Sequence, residues 1–478
     1  MKNVFLGIAL FLAANLLGAQ EIKNEDAFVV KPYLQIGRNP SAGSLQLLWQ
    51  ASDAHTDWSV EVQVATNGPW KKAAAAKSSR VEVAGIAARK VYNAALTGLL
   101  PGSVFHYRVL EKTKVVFNAE AMAPKSLDQP YRFVAFGDIG DGKSEQKQLA
   151  NRAFLLKPDL VVIPGDIVYE RGLVSEYDSN FWPIYNSDKA GEAGVPLMRS
   201  IPFVAGPGNH DTDTRDLDKY PEALAYYYFW DQPLNGPLGI EGGPIVPALV
   251  ASEANRKHFI EAAGDAYPRM GNYSFDYGNA HWLVLDSNPY VDWTNKELND
   301  WVARDLESAK NATWRFVMLH HPGFNSSREH YEQQHMRLLA PVFEAAKVDV
   351  VFSGHLHNYQ RSLPLSFVPD KKGTLLVGGR DGKTVRGRVV NGRWTLDKSF
   401  DGKTNTSPKG VIYLVTGAGG KDLYNVEQNG DPDSWQKFTD KFISNIHSLT
   451  VADVNGRTLT IRQLAADGKE LDQFKITK

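Results

Sequence analysis

Leu160-Val161-Val162-Ile163-Pro164-Gly165-Asp166-Ile167-Val168-Tyr169 decides the fold class. Its first four residues form an unbroken apolar run rich in β-branched side chains, the pattern of a strand covered on both faces. The run stops at a Gly-Asp turn. Working outward, the same unit recurs along the chain. Phe133–Phe136 runs into Gly137-Asp138-Ile139-Gly140, and Phe203-Val204 into Gly206-Pro207-Gly208-Asn209-His210-Asp211. Phe316–Leu319 runs into His320-His321-Pro322, and Val350–Phe352 into Gly354-His355-Leu356-His357. Trp282–Leu285 is a further apolar run. Between these runs lie helix-like segments, Gln146–Leu155 and Asn295–Ser308, the latter with Leu298, Trp301, Val302 and Leu306 at amphipathic spacing. Buried strands alternating with helices predict a layered α/β domain.

Five of these strands end at residues that bind hard or borderline metals. Sheets with helix layers place binding sites where strands run out into loops, and glycine lets such loops turn sharply and approach closely. A Gly-Asp pair alone is usually only a turn; five such endings in one chain are not coincidence. His355 and His357, two residues apart after a strand, are expected on one face if the extended backbone continues. The donors are carboxylate, imidazole, amide and phenol, and the chain has no cysteine to add a thiolate. That set favours iron, zinc or manganese.

The 478 residues exceed what one core needs, and two structural units are expected. From about Val29 to Lys125 the chain reads as short strands and turns, among them Ser44–Trp49, Trp58–Val64 and Val104–Val109, predicting an antiparallel sandwich. Residues 213–269, rich in Pro, Gly and aromatics, read as long loops with one helix near Ser252–Ala263. Strands are expected again at Gly410–Gly417, Ser448–Val454 and Thr458–Arg462, the last two joined by a turn at Asn455-Gly456. The first residues, a lysine followed by the apolar run Val4–Leu17 and Gly18-Ala19, predict a signal peptide over 1–19. The run is shorter than a membrane span, so a secreted or periplasmic protein with no membrane span is expected. A 43% hydrophobic, 22% charged composition is globular. A net charge of −1 without like-charge blocks gives no footprint for a nucleic-acid polymer.

The series GDIG, GDIVY, GNHD, LHH and GHLH resembles the five-block signature of the calcineurin-like metallophosphoesterases. Tyr169, three residues after Asp166, narrows the resemblance to the purple acid phosphatases. Val348–Ser362 and the stretches from Gly417 to Gly420 and Asp467 to Asp472 also follow that family. The resemblance implies a four-layer αββα catalytic domain over 130–478, preceded by a fibronectin type III-like sandwich over 28–125, the two-domain architecture of plant-type members, in what is expected to be a bacterial member. It implies Fe(3+) at Asp138, Tyr169 and His357. It implies a divalent ion (Zn, Mn or Fe) at Asn209, His320 and His355, with Asp166 bridging the two. His321 is left out of the ligand set. His210, oriented by Asp211, and His330 are the expected catalytic residues, with Glu329 where plant-type members often carry a second histidine. The implied activity is hydrolysis of a small phosphate monoester by metal-bound hydroxide attacking phosphorus in line, an acid phosphatase. The alternatives are a phosphodiesterase or nucleotide or phytate specialist, and a silent phosphate- or glycan-binding protein. His281 reads as structural; Asn325 and Arg361 either touch phosphate or stabilise loops.

Overall fold

The computed structural model describes residues 27–65, 67–371, 373–378 and 385–478; the expected signal peptide lies outside them. Two large sheets stack face to face. The first orders its strands Phe203–Gly206, Leu160–Pro164, Tyr131–Ala135, Ser448–Asn455, Thr458–Ala465, Glu470–Thr477. Its first three strands are parallel and in step, with Val162 beside both Ala135 and Val204. The second orders Tyr273–Tyr277, Ala280–Leu285, Trp314–Leu319, Val350–Ser353, Ile412–Thr416, Tyr359–Ser362, Thr439–Ile443, with the four from Ala280 to Thr416 parallel.

The apolar runs behave as double-sided strands. Phe133, Val162, Trp282, Phe316, Phe352, Leu414 and Ile461 pack between the two sheets. Their neighbours Val134, Val161, Ile163, Leu283 and Val317 face outward into a second core shared with the helices. The helix Ser144–Leu155 buries Leu149, Ala150 and Ala153, and the helix Lys296–Ser308 buries Leu298, Val302 and Leu306 in that outer core. The latter begins where Asn295 caps it, its side chain accepting from the Leu298 amide at 3.0 Å. The result is helix, sheet, sheet, helix. The architecture expected from the sequence is the one observed.

The N-terminal strands form a separate sandwich of two four-stranded sheets between Val30 and Met122. Its core holds Leu45, Leu47, Trp49, Val60, Tyr92, Leu96, Phe105 and Tyr107. Residues 213–269 differ from the sequence expectation. Their helix, Glu253–Ala263, is where it was expected. The rest is not all surface loop: Tyr226, Tyr227, Tyr228, Phe229 and Trp230 are buried, in one core with Tyr33, Val81 and Val91 of the sandwich, while Leu238, Ile240 and Val250 are exposed. The Tyr33 hydroxyl donates to the Phe229 carbonyl at 2.9 Å, and Arg89 grips Asp178 through two bonds of 2.8 and 2.7 Å. Aromatic packing across a domain seam has no periodicity, so the pattern in the sequence does not reveal it.

Candidate metal centre

All five ligand-bearing turns leave the C-terminal ends of parallel strands, three from one sheet and two from the other, at one end of the stack. Close approach sets their sequence. A Cβ on Gly165, whose φ is +83°, would lie 2.6 Å from His320 Nδ1, and one on Gly208 would run into the Asp166 carboxylate. Asp138, Asp166 and His355 themselves hold φ of 59°, 51° and 69°, a left-handed region that non-glycine residues enter at a cost of about 1–3 kcal/mol each. Strain of this kind collects where surrounding structure fixes a functional geometry.

The seven residues singled out as ligands come together. Tyr169 Oη lies 3.1 Å from Asp138 Oδ1, 3.1 Å from Asp166 Oδ2 and 3.3 Å from His357 Nε2. His357 Nε2 is 3.5 Å from Asp138 Oδ1. On the other flank, His320 Nε2 lies 3.1 Å from Asn209 Oδ1 and 3.2 Å from Asp166 Oδ2. Donor atoms of Asp166, His320 and His355 all fall within 4.8 Å of one another, a group that can hold a metal ion. Asp166 Oδ2 therefore touches both flanks. All but Asn209 are buried almost completely.

The histidines are set by their outer nitrogens. His320 Nδ1 is 2.8 Å from the Pro164 carbonyl and His357 Nδ1 is 2.7 Å from the Asp422 carbonyl. Donation of Nδ1–H to a carbonyl leaves the Nε2 lone pair facing the centre, the usual arrangement of a metal-binding imidazole. His355 Nε2 is buried with no hydrogen-bond partner, an orphan that a cation would satisfy. Burial and the neighbouring rings of His321, His330, His320 and His357 push the His355 pKa well down, which keeps that lone pair free. Burial works to raise the Asp166 pKa, but His320 and His210 outweigh it and hold the carboxylate ionised. The donor chemistry fits a pair of hard or borderline cations.

Two expectations need correction. Asp211 does not orient the His210 ring. Its carboxylate accepts from the backbone amides of Ile167 at 3.0 Å and Gly208 at 2.8 Å, pinning together the turns that carry Asp166 and Asn209. The His210 ring is set by the Glu170 carbonyl, 2.7 Å from Nδ1. Secondly, His355 and His357 do not share a face through a continued strand. The strand ends at Ser353, and the positive φ at His355 starts a turn that brings both rings in.

His210 Nε2 stands 4.0 Å from Asp166 Oδ2, and its ring is 4.5 Å from that of Tyr169. The His330 ring is 4.3 Å from that of His355, and Glu329 Oε1 is 4.0 Å from His330 Nε2. His321 is buried beside His355, its amide donating to Ser287 Oγ. Arg361 is engaged elsewhere, in an ion pair with Asp472, and His281 lies at the other end of its strand between Asp276 and Asp305. The sequence reading missed a rim built after the strand Ile412–Thr416. Tyr424 stacks on His357 at 3.9 Å, and Lys421 sits 4.5 Å above the Tyr169 ring while pairing with Glu170. Gly417-Ala418-Gly419-Gly420 closing that strand was the available signal, a sixth strand end of the same kind.

A family model, calcineurin-like phosphoesterase, matches residues 131–359, the span that carries all five turns. Residues 131–359 thus match a calcineurin-like phosphoesterase domain. The chain is similar to purple acid phosphatases. It is 29% identical over 251 residues to purple acid phosphatase 1 of Ipomoea batatas, an alignment covering 50% of this chain and 45% of that one. It is 23% identical to probable inactive purple acid phosphatase 1 of Arabidopsis thaliana, over 81% of this chain and 58% of the relative. The chain thus spans about half the length of these curated relatives. In fold it matches a purple acid phosphatase isolated from yellow lupin seeds (Lupinus luteus). The TM-score is 0.63 at 16% identity, covering 93% of this chain and 74% of that one. Among the described residues no helix is long and apolar enough to cross a membrane.

Proposed function

We propose that the protein is an acid phosphatase of the purple type, hydrolysing small phosphate monoesters. The observation that carries this is the position of Asp166 Oδ2, 3.1 Å from Tyr169 and 3.2 Å from His320, between two groups of donors. Asp138, Tyr169 and His357 would hold Fe(3+); Asn209, His320 and His355 would hold Zn, Mn or Fe; Asp166 would serve both. When bound, the two cations supply positive charge to the phosphate oxygens and a water acidified enough to attack phosphorus below neutral pH.

The chain's own residues do the rest. Burial and the carboxylates of Asp138 and Asp166 push the Tyr169 pKa well up, so its phenol would give up its proton only when a cation binds; Lys421 packs 4.5 Å above the ring. His210, with Nδ1 committed to the Glu170 carbonyl, turns Nε2 toward the centre. Protonated there, it donates to a phosphate oxygen or to the departing alkoxide. His330, on the opposite flank over His355, offers a second donor to the ester. The buried clamp from Asp211 to Ile167 and Gly208 holds Asp166 and Asn209 at fixed separation, so no reorganisation is needed during reaction. Glu329 places a carboxylate at the rim beside His330, which disfavours highly charged leaving groups. Export, which the apolar run Val4–Leu17 suggests, is part of the proposal.

The test is hydrolysis of para-nitrophenyl phosphate and of its bis ester by the wild-type protein and by Asp166→Ala. Turnover of the monoester above the bis ester, lost by at least a thousandfold in Asp166→Ala with the circular dichroism spectrum retained, is expected. Unchanged hydrolysis in the variant contradicts the assignment.

A further inference from the structure

A cavity of about 370 Å³ lies beside the metal centre, behind the turn that follows the strand Ala280–Leu285. Its walls include Tyr290, Trp293, Thr294, His335 and Arg388. The volume is in the range of small-molecule sites, roughly 300–1,000 Å³. Three polar atoms on this lining are buried and have no partner: His335 Nδ1, Trp293 Nε1 and Arg388 Nε. His335 is 2% exposed and Trp293 3% exposed, so bulk water does not serve them. Buried polar groups are almost always paired, and three orphans on one cavity wall point to a ligand.

The orphans specify its chemistry. His335 Nε2 sits 2.6 Å from the Ser287 carbonyl, so that nitrogen carries the hydrogen and Nδ1 is a bare acceptor. Burial pushes the ring's pKa down to about 4, which keeps it neutral. Trp293 Nε1 and the Arg388 guanidinium are donors, and Arg388 has no ion-pair partner among the described residues. The one lining carboxylate, Asp292, is exposed at the rim and accepts from the amide and hydroxyl of Thr294. The interior thus offers a cation, a neutral donor and a neutral acceptor.

We propose that this cavity binds a small organic anion that carries a hydroxyl, its acid group on Arg388 and the Trp293 N–H, its hydroxyl donating to His335 Nδ1. Hydrogen bonds through His335 and Tyr290 tie the cavity's lining to the reacting centre. The Ser287 hydroxyl whose residue anchors His335 accepts the backbone amides of His320 at 2.9 Å and His321 at 2.8 Å. The Tyr290 hydroxyl is 3.0 Å from that of Thr212, in the same helical turn as Asn209 and His210. Two sources fit: the leaving-group part of a phosphorylated hydroxy acid, or a free hydroxy acid acting as effector. The site itself stands apart from the phosphatase reading; its use by a leaving group rests on it.

The experiment uses glycerate and 3-phosphoglycerate with the wild-type protein, Arg388→Met and Trp293→Phe. Millimolar glycerate is expected to raise the Tm of the wild type by about 2 °C or more and to leave both variants unmoved. For a leaving-group site, each variant lowers kcat/KM for 3-phosphoglycerate, relative to para-nitrophenyl phosphate, about tenfold. An unchanged ratio with the Tm shift intact assigns the site to a free effector. The proposal is overturned if glycerate leaves the wild-type Tm unmoved and the variants treat both substrates alike. The Tm arm does not depend on hydrolysis, so a protein inactive on both esters overturns the phosphatase reading without deciding the cavity. Trp293→Phe, which removes the N–H and keeps a smaller aromatic ring, guards against misfolding of the arginine variant.

Discussion

Asp211 and His210 are adjacent in sequence and separate in role, and the distinction is measurable. His210 faces the reacting centre through Nε2, so His210→Ala should lower kcat by about 10²–10³-fold while metal content stays that of the wild type. Asp211 holds the turns of Asp166 and Asn209 through the amides of Ile167 and Gly208. Asp211→Ala should therefore reduce metal affinity by about 10–100-fold along with activity, as metal analysis after dialysis would register. Equal metal retention in both variants contradicts this division. The sequence could not separate the two residues. A carboxylate one position from an imidazole suggests a pair, and only the backbone path shows that its oxygens are already taken by amides. The seven donors, by contrast, are legible because each stands at the end of an apolar run, which the chain order alone displays. For Tyr424 and Lys421 the glycine turn before them marks only that a strand ends there. Neither donor type nor spacing marks an aromatic ring that stacks on His357 or a lysine that covers Tyr169.

Each ligand-bearing element works because one end of a strand is rigid and the turn beyond it is tight. The strand Ala280–Leu285 shows what the opposite ends do. His281 at its start is buried and bonded to Asp276 at 2.8 Å and Asp305 at 2.9 Å. Burial alone would lower its pKa, but these two carboxylates raise it to about 9. With the folded value above the unfolded 6.5, this group stabilises the fold fully below pH 6.5 and loses that contribution as pH rises through 9. The contribution is on the order of 2 kcal/mol, given that Asp276 is largely exposed. His281→Gln should remove most of the fall in denaturation midpoint between pH 6.5 and 9 and leave hydrolysis at neutral pH intact. A wild-type slope retained in the variant contradicts it. Double-sided strands and the amphipathic helix Lys296–Ser308 were readable from periodicity, as was the turn at Asn455-Gly456. The turn at His355 was not, because a positive φ on a histidine has no sequence signature; the strand period was extended one turn too far.

At the scale of the whole molecule, two sheets must stay in fixed register for ligands from both to meet. One tie between them is the buried pair of Arg361, in the second sheet, with Asp472, in the first, at 2.6 and 3.1 Å, to which the Tyr359 hydroxyl adds a bond of 2.9 Å. Asp472→Ala strands Arg361 with only the partly exposed Asp440 as counter-charge, and should cost about 3–5 kcal/mol in urea denaturation. A cost below about 1 kcal/mol would show that the tie is not a structural one. Fold class and domain order were legible at this scale because strand and helix patterns change near Lys125. The seam of buried aromatics between Tyr226 and Trp230 was not, since it exists only once the sandwich is docked on it. The central claim is that seven side chains from two sheets hold a pair of cations, with Asp166 shared. Metal content per chain, read with the visible spectrum on protein purified without chelator, tests it most directly. The account predicts two metal ions per chain, one of them iron, a charge-transfer band that vanishes in Tyr169→Phe, and loss of both ions in Asp166→Ala. One ion or none in the wild type, or two retained in Asp166→Ala, would contradict it.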